Sequence, residues 1–567
     1  MLETLKKYWG YSSFRPGQAE IISEVLAGRD VLAILPTGGG KSVCFQVPAM
    51  MKDGIAIVVS PLIALMKDQV QNLRDRGIPA LAVYSGMTYR EIDFTLDNAI
   101  FGDYKFLYVS PERLRSDLFK ARLAKMNVCQ LVVDEAHCIS QWGYDFRPDY
   151  LEIAAVRQIV GASVPVVALT ATATPEVARD IQEKLGFRQE NLLTGNFERP
   201  NLSYVFRQTD NKMGQILRVC QGVEGSGIVY VSRRKNAEDL AAFLRAQGIE
   251  AEGYHAGMNR DDRTRIQEAW KKGTVRVIVS TNAFGMGIDK PDVRFVCHYD
   301  MPDSIEGYFQ EAGRAGRDGK DAFAVLLWNR TDISRLRQIV RTTYPPLEYI
   351  RKVYQQVYTW LGYAYEEGKG ASVKFEIEKF ARQYRLNAAE AFYAVKYLQM
   401  AGYWTLTETL TIPAKIQFTV TRDELYRLQL GSEEMDTFVK LLMRMYTGLF
   451  SEYVPIDEEK IAHAGRYAAE VVREKLRTLS RRQVLKYIPA INAPMLCLNF
   501  ERLDDRNLRL PRNEYDARVK RRTDRLEALV SLVENDTECR CVQMYRYFGQ
   551  PTDKACGRCD VCLSKKK

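Results

Sequence analysis

Short apolar runs alternate with longer amphipathic stretches through residues 30–330. The runs have the length of strands, and the intervals between them show helical spacing. A parallel sheet has this pattern because its crossover helices bury both of its faces. We therefore predict an α/β fold whose parallel strands lie at Val31–Leu35, Ile55–Val59, Phe106–Val109, Leu131–Val133, Val166–Leu169, Ile228–Val231, Val275–Val279, Phe295–Cys297 and Ala322–Leu327.

The alternation pauses around Asn196–Asn201, where Pro200 lies among turn-forming residues. Proline and turn formers interrupt regular elements, so the pause indicates a boundary between two sheets. We predict one α/β lobe over residues 1–200 and a second lobe over residues 201–336.

The pattern changes after the second lobe. Phe375–Tyr384 and Ala388–Met400 have helical spacing with a short turn between them, and Tyr403–Leu410 and Ile416–Val420 are strand-like. Two helices followed by a hairpin are typical of winged-helix modules. We predict a winged-helix-like domain over residues 337–430.

A similar helix–turn–helix–strand order is found at Glu458–Tyr487, which predicts a second helical or winged-helix-like region over residues 431–512. The two regions share an Ala-Ala-Glu triplet, and this fits either a repeat or two unrelated helical pairs. Helical spacing from Tyr515 to Val533 leads into a cysteine cluster, so we predict a helical hairpin and a metal-binding module over residues 513–567.

The chain has 567 residues, enough for about three to four domains of roughly 150 residues. Its 46% hydrophobic and 27% charged residues exclude a mostly disordered chain and a membrane channel. The N-terminus lacks the apolar segment of a signal peptide, and the longest apolar runs fall far short of the ~20 residues that span a bilayer. We therefore expect a cytoplasmic protein, nucleoid-associated in a bacterium or nuclear in a eukaryote, with no membrane partner.

Charge and cysteine are both concentrated at the C-terminal end. Residues 471–567 carry nine of the ten net positive charges, which indicates a polyanionic partner. Five of the eleven cysteines fall in the last 29 residues, a distribution unlike that of a secreted disulfide framework. Cys556, Cys559 and Cys562 have the spacing of thiolates that share one metal ion, and thiolate ligands favour Zn²⁺.

A phosphate-binding loop is predicted at Pro36–Ser42 (PTGGGKS), directly after the first strand. Its glycines let backbone N–H groups face phosphate oxygens, Lys41 offers a cation to the β- and γ-phosphates, and the Ser42 hydroxyl can ligate Mg²⁺. Leu35 stands where the strict pattern requires glycine. Taken alone, the segment also fits a glycine-rich turn with a lysine nearby.

A second half of the site follows another predicted strand, at Asp134-Glu135-Ala136-His137. Asp134 at the end of a strand can hold Mg²⁺, and Glu135 can take a proton from an attacking water. The alternative is a pair of acidic residues on the surface with no catalytic role. The phosphate loop upstream favours the catalytic interpretation. Upstream of that loop, Tyr11, Arg15 and Gln18 offer an aromatic ring, a guanidinium and an amide to an adenine, although a packed surface turn has the same composition.

The stretch DEAHCISQWGYDFRPDY (Asp134–Tyr150) resembles motif II and the adjoining aromatic-rich loop of RecQ helicases, in superfamily 2. The other family motifs follow in the family's order: FRPGQ at 14–18, PTGGGKS at 36–42, SPLIALMKDQ at 60–69, SPERL at 110–114, LTATAT at 169–174, YHAGM at 254–258, FGMGIDKP at 284–291 and QEAGRAGRDG at 310–319. The resemblance covers residues 1 to about 335 and implies two RecA-like lobes with ATP and Mg²⁺ between them.

The resemblance also implies the site residues. The catalytic set drawn from both lobes is Lys41, Asp134, Glu135, Gln310, Arg314 and Arg317. The ATP-binding set is Tyr11, Arg15, Gln18, Thr37, Gly38, Gly39, Gly40, Lys41 and Ser42, with Mg²⁺ on Ser42 and Asp134. The set for DNA binding or coupling is His137, Trp142, Phe146, Arg147, Ser232, Arg233 and Thr281, in which aromatic rings could stack on bases.

The closing segment, YFGQ followed by CGRCDVC (Tyr547–Cys562), resembles the family's zinc-binding subdomain. The match nominates Cys541 as the fourth zinc ligand, beside Cys556, Cys559 and Cys562, but Cys539 lies two residues away and leaves that choice open. The chain departs from the family because its winged-helix-like region precedes the cysteines.

The resemblance implies a monomeric ATP-dependent helicase that acts on single-stranded and duplex DNA with 3′-to-5′ polarity, in recombination and repair. Two alternatives have the same motifs. One is a DNA-stimulated translocase that does not separate strands, and the other is a DNA-binding or annealing protein with an ATP switch.

Overall fold

The computed structural model describes residues 1–140, 145–284, 290–407, 410–412, 414–421, 424–425, 433–489 and 491–566. The chain divides into two compact units, one of residues 1–337 and 520–567, the other of residues 338–519. The second unit is therefore an insertion within the sequence of the first.

The first unit opens with a parallel sheet of strand order β3-β4-β2-β5-β6-β1-β7. Its strands are β1 (Val31–Ile34), β2 (Ile55–Val59), β3 (Ala80–Val83), β4 (Phe106–Val109), β5 (Val128–Val133), β6 (Val166–Thr170) and β7 (Leu192–Thr194). The helices are α1 (Leu2–Trp9), α2 (Gln18–Leu26), α3 (Lys41–Met51), α4 (Ile63–Arg74), α5 (Tyr89–Phe101), α6 (Asp117–Leu123), α7 (Ile153–Val160) and α8 (Pro175–Lys184). Because β2, β5, β6 and β1 are neighbours, the segments that follow them meet at one edge of the sheet.

A second parallel sheet follows, with strand order β10-β11-β9-β12-β13-β8. Its strands are β8 (Leu202–Gln208), β9 (Ser226–Tyr230), β10 (Ala251–Tyr254), β11 (Val277–Ser280), β12 (Val293–His298) and β13 (Ala322–Trp328). The helices are α9 (Lys212–Gly222), α10 (Arg234–Ala246), α11 (Arg260–Lys272), α12 (Ile305–Ala312) and α13 (Arg330–Thr343). Each sheet buries its apolar strands beneath helices, as predicted for two α/β lobes.

The second unit begins with a winged helix. Its helices are α14 (Leu347–Leu361), α15 (Ile377–Gln383) and α16 (Ala388–Met400), and its sheet has the antiparallel order β14-β21-β15, formed by Ser372–Lys374, Met495–Leu498 and Trp404–Leu406. The core packs around Trp404, whose ring stacks on Tyr354 with centroids 5.7 Å apart. The third strand of this module therefore comes from nearly 90 residues further along the chain than the second.

A second module of the same kind is inserted between these two strands. It contains β17 (Ala414–Phe418), α17 (Glu433–Met445), β18 (Val454–Ile456), α18 (Glu458–Gly465), α19 (Ala469–Arg481) and β19 (Leu485–Ile488). The sheet order β18-β17-β19 is the winged-helix order with its third strand placed first in the chain. Between the modules, β16 (Leu410–Ile412) pairs with β20 (Ile491–Ala493).

The predicted hairpin of Tyr403–Leu410 with Ile416–Val420 is wrong. Strand β15 pairs with β21, whereas β17 pairs with β18 and β19. The two segments separate because Trp404 packs into the first core, while Ile416 and Phe418 pack into the second. The predicted boundary between residues 430 and 431 is corrected for the same reason, since it separates β17 from the sheet to which it belongs.

The chain re-enters the first unit through α20 (Arg512–Glu534) and ends in α21 (Arg540–Tyr547) and α22 (Asp560–Ser564). In the part of the chain that the structure describes, no helix combines the length and the apolar character needed to cross a membrane.

The core of the first winged helix provides a test of the fold. Trp404 is fully buried and its indole N–H donates to the Val395 carbonyl at 3.0 Å. We expect Trp404→Ala to lower the free energy of unfolding by about 3–5 kcal/mol, measured by urea denaturation followed by circular dichroism. Val471→Ala, at a position 41% exposed, is the control and should change stability by less than about 0.5 kcal/mol. Equal losses of stability in the two variants would contradict the assignment of Trp404 to the core of this module.

Candidate active site and metal centre

The predicted phosphate loop connects β1 to α3, which begins at Lys41. Gly38 and Gly40 have φ of 81° and 77°, in the left-handed region that favours glycine. A Cβ on Gly40 would lie 2.5 Å from the Gln18 side-chain nitrogen, so this position also lacks space for a side chain. The loop presents Lys41 and Ser42 at the start of a helix, where backbone N–H groups and the helix dipole favour an anion.

The Tyr11–Gln18 segment packs against this loop. The Gln18 side chain donates to the carbonyls of Gly39 and Gly40 at 3.2 and 3.1 Å, and the Arg15 guanidinium donates to the Gly38 carbonyl. The Tyr11 ring is 55% exposed. The structure thus brings Arg15 and Gln18, two of the three predicted adenine-contacting residues, to the phosphate loop, and it adds a role for both in fixing that loop.

The acidic pair lies at the end of β5, next to β2 and β6. The Ser60 hydroxyl donates to Asp134 Oδ2 at 3.3 Å, and the Tyr150 hydroxyl donates to the Asp134 carbonyl at 2.9 Å. Burial, reinforced by the charge of Glu135 and opposed by that of Lys41, raises the pKa of Asp134 to about 6. The buried carboxylate of Asp134 is ionised at neutral pH and gains from a nearby cation, which would offset the cost of its burial.

Glu135 has a positive φ of 47°, an uncommon conformation for a non-glycine residue. Its Oε2 lies 3.4 Å from His137 Nδ1, which in turn is 3.0 Å from the Thr170 hydroxyl. Burial lowers the pKa of His137, so the imidazole is neutral. The predicted coupling residue therefore lies between Glu135 and Thr170, and it is hydrogen-bonded to Thr170 at the end of β6.

The second lobe brings its arginine-bearing loop to the phosphate loop. A Cβ on Gly38 would lie 3.2 Å from Arg317 Cγ, and a Cβ on Gly313 would lie 3.2 Å from Thr37 Cβ. Gln310 and Arg314 are buried, at 8% and 4% exposure. Among the described residues, the buried Thr37 Oγ1 and Arg314 Nε lack hydrogen-bond partners, which suits a polyanionic ligand in this cleft.

The predicted DNA residues are more varied. Trp142 lies outside the described residues, and Phe146 is half-buried. The Arg147 guanidinium donates to the Pro61 carbonyl at 3.1 Å and to Asp145, so it fixes the aromatic-rich loop against the segment after β2.

In the second lobe, the Ser232 amide and hydroxyl both donate to Asp300 Oδ2, at 2.7 and 2.9 Å. These donors are therefore occupied by the protein. Thr281 is buried, whereas Arg233 is exposed at the start of α10, where it could reach a phosphate.

Much of the C-terminal positive charge is paired within the first unit. Ion pairs join Arg522 to Asp303, Arg525 to Glu306, Arg540 to Asp560, Arg546 to Glu538 and Arg558 to Asp321. Most of these arginines hold the cysteine module together or attach it to the second lobe. Net charge alone indicated a polyanionic partner and did not reveal these ion pairs within the protein.

The cysteine cluster is formed by Cys539, Cys556, Cys559 and Cys562, whose sulfurs lie within 4.8 Å of one another. The Cys539–Cys559 and Cys556–Cys562 sulfur distances are 3.9 and 4.0 Å. Zn–S bonds of about 2.3 Å in a tetrahedron place sulfurs roughly 3.8 Å apart, so the cluster fits Zn²⁺. Backbone N–H groups of Cys556, Cys559 and Cys562 also point at cluster sulfurs at 3.3–3.4 Å.

The structure places Cys539 in this cluster, whereas the resemblance nominated Cys541, so Cys539 becomes the candidate fourth ligand. Helix α21 starts at Arg540, so Cys539 is the residue before the helix and faces the turn at Cys556, while Cys541 lies within the first helical turn. The spacing of the cysteines alone did not distinguish the two residues, because the choice depends on where the helix begins.

Sequence reasoning also missed Arg199 and Asn201 in the segment between β7 and β8. Their side chains donate to carbonyls of the loop that carries Arg314 and Arg317. The only sequence signal was the interruption of the strand–helix alternation, which marked a boundary without indicating a contact.

Four known families match successive parts of the chain. They are the DEAD/DEAH box helicases over residues 15–181, the helicase conserved C-terminal domain over 209–319, the RecQ helicase winged-helix domain of Bacteroidota over 416–489, and the RecQ zinc-binding domain over 501–563. These matches agree with a fold of two RecA-like lobes, a winged helix and a cysteine-based zinc module, and with ATP and Zn²⁺ as cofactors.

The chain is 43% identical over 340 residues to the ATP-dependent DNA helicase RecQ of Haemophilus influenzae, covering 60% of this chain and 55% of that protein. It is 42% identical over 344 residues to the probable ATP-dependent DNA helicase RecS of Bacillus subtilis, covering 60% and 69%. The chain spans about half the length of several curated relatives that it matches.

Among solved structures, a DNA complex of the helicase MrfA has a TM-score of 0.51 at 18% identity, covering 59% of this chain and 52% of that one. At this identity the likeness shows the fold alone.

The corrected ligand set can be tested by metal content. We expect Cys539→Ser to lose bound zinc, because four thiolates are needed to complete the site. Cys541→Ser is the matched control and should retain about one zinc per chain, measured by atomic absorption on purified protein. Loss of zinc from the Cys541 variant with retention in the Cys539 variant would restore the original assignment.

Proposed function

This chain belongs to the RecQ family of DNA helicases, and from that premise we propose that it is an ATP- and Mg²⁺-dependent helicase that unwinds duplex DNA with 3′-to-5′ polarity. The observation that carries the proposal is the meeting of Arg317 with Gly38 across the cleft between the lobes. Its biological setting would be recombination and repair, and we expect it to act as a monomer.

The proposed chemistry divides between the lobes. Lys41 contacts the β- and γ-phosphates, Ser42 and Asp134 hold Mg²⁺, and Glu135 accepts a proton from the attacking water. Bound Mg²⁺ supplies neutralisation of phosphate charge. Arg314 and Arg317 come from the second lobe, with Gln310 beside them, and stabilise the charge that develops on the transferred phosphoryl group.

Strand movement follows from this division. Hydrolysis requires the lobes to be closed, so each cycle of ATP binding and release opens and closes the cleft. The neutral His137 between Glu135 and Thr170 lies where a DNA-induced shift of the aromatic-rich loop could reach the catalytic carboxylate. The second winged helix offers a surface for the duplex along α19, whose Arg473, Arg477 and Arg481 are paired with glutamates of the same module that DNA phosphates would replace.

Unwinding assays test the function directly. We expect release of the labelled strand from a 3′-tailed duplex with ATP and Mg²⁺, and little release from a 5′-tailed duplex. Glu135→Gln should abolish both ATP hydrolysis and unwinding, because it removes the base that activates water. Glu152→Gln, a surface carboxylate in an ion pair with Lys120, is the control and should retain both activities.

Unwinding of only the 5′-tailed duplex would contradict the polarity. DNA-stimulated hydrolysis without strand release would instead support a translocase.

The arginine contact gives a second test. Arg317→Ala should lower kcat by about 10³–10⁵ with ATP affinity changed far less, as expected for a group that acts mainly in the transition state. Arg265→Ala, which removes an exposed ion pair to Asp262 on α11, is the control. A rise in KM at unchanged kcat would contradict the assigned role of Arg317.

The raised pKa of Asp134 predicts the pH dependence. Below about pH 6 this carboxyl is protonated and binds Mg²⁺ poorly, so kcat/KM for ATP should fall as the pH drops through 6 and level off above it. Because Mg²⁺ competes with the proton, about tenfold more Mg²⁺ should move the acidic limb to lower pH. An acidic limb that does not respond to Mg²⁺ would assign it to another group.

A further inference from the structure

The segment that joins the lobes, residues 195–201, is attached to the phosphate-loop strand at one end. The Gly195 amide donates to the Ile34 carbonyl at 2.8 Å, which extends the pairing of β7 with β1. A Cβ on Gly195 would lie 2.7 Å from Leu35 Cδ2, so the segment packs directly on the residue before the phosphate loop. The start of this segment is therefore fixed to the strand that leads into the phosphate loop.

The other end of the segment binds the arginine-bearing loop. The Arg199 guanidinium donates to the carbonyls of Ala315 and Gly316 at 2.7 and 2.9 Å, and to that of Gly313 at 3.4 Å. The Asn201 amide donates to the carbonyls of Gly316 and Lys320 at 2.7 and 2.8 Å. The carbonyls that accept these hydrogen bonds lie on both sides of Arg314 and Arg317 in the sequence.

The zinc module supports the same segment from outside. Phe197 of the segment, Phe309 of α12 and Phe548 of the zinc module form a ring cluster with centroids 5.0–5.5 Å apart. The Gln550 side chain donates to the Gly195 carbonyl at 2.9 Å, and the Tyr547 hydroxyl donates to Glu306 on α12 at 2.9 Å. The module thus touches both the joining segment and the helix that precedes the arginine-bearing loop.

We propose that Arg199 is a positioning residue that, with Asn201, sets the distance of Arg314 and Arg317 from the phosphate loop, and that Phe548 and Gln550 of the zinc module hold the joining segment in place. This inference rests on the proposed ATPase function. The hydrogen bonds from Arg199 and Asn201 to backbone carbonyls restrain the arginine-bearing loop. The guanidinium groups of this loop are needed at the phosphate oxygens in the transition state, when negative charge develops there. The positioning residues therefore act on the rate of hydrolysis more than on ATP binding.

Steady-state hydrolysis by intact, zinc-loaded variants tests the proposal. We expect Arg199→Ala to lower kcat on the order of 10²-fold, the scale of a roughly 1 Å displacement of catalytic groups, with affinity for a fluorescent ATP analogue nearly unchanged. Arg199→Lys keeps the charge but not the forked donors, and should lose less. Gln550→Ala should lower kcat measurably at full zinc content, since it removes one bond to the segment.

Arg276→Ala is the matched control, because this arginine also donates to three carbonyls of the second lobe, those of Cys220, Val223 and Gly225. It should share any loss of thermal stability but keep kcat. Equal kcat losses in the Arg199 and Arg276 variants would overturn the proposal, as would a rise in KM at constant kcat. If Arg199→Ala does not fold, Arg199→Lys and Asn201→Ala decide by the same criteria.

The unmodified protein and a Lys41→Ala variant separate this inference from the function on which it rests. Absence of hydrolysis by the unmodified protein would overturn both. Hydrolysis that depends on Lys41 but not on Arg199, Asn201 or Gln550 would overturn the positioning role alone.

Discussion

Neutralising phosphate charge from two sides of a cleft requires the cations of different lobes to be held in a fixed geometry around the ligand. In this chain the requirement is expressed in one contact, where the Arg317 side chain lies against Gly38 of the phosphate loop. A side chain at Gly38 would occupy the space that Arg317 fills. The glycine thus serves the second lobe as well as the curvature of its own loop.

Other parts of the first unit are organised around that contact. The joining segment is fixed to β1 at Gly195 and to the arginine-bearing loop at Arg199 and Asn201. The zinc module covers the segment with Phe548 and is itself attached to the second lobe through arginine–carboxylate pairs. A module that resembles an appendage in the sequence is in this way packed against the hinge between the lobes.

The inserted unit follows a different constraint. Its strands between residues 404 and 418 pair antiparallel, one after another, with its strands between residues 485 and 498. The register shifts by one residue between the pair Trp404–Leu498 and the pair Leu410–Ala493. One ladder thus supplies the wing of the first module and strands of the second. Strand pairing over such separations is invisible to local pattern, which explains why the adjacent strands were predicted to form a hairpin.

Local chemistry made the catalytic prediction possible. Each of the three motifs can be recognised from a few consecutive residues. They are the phosphate loop, the acidic pair after a strand and the arginine-bearing loop. Several strands were missed because their sequences are not continuous apolar runs, as in β10 with Glu252 and Gly253 or β8 with Ser203 and Arg207. Such strands are stabilised by neighbours in the sheet rather than by their own composition.

The sequence by itself determined the two α/β lobes, the candidate residues of an ATP site and the presence of a thiolate cluster, because each depends on residue type at short spacing. Only the tertiary structure decided that Cys539 lies in the thiolate cluster and that β17 belongs to a permuted second winged helix. It alone also showed that Arg199 donates hydrogen bonds to the arginine-bearing loop. These features depend on where a helix starts and which distant backbone groups come within hydrogen-bond distance. Both are set by packing of the whole unit, which no short stretch of residues encodes.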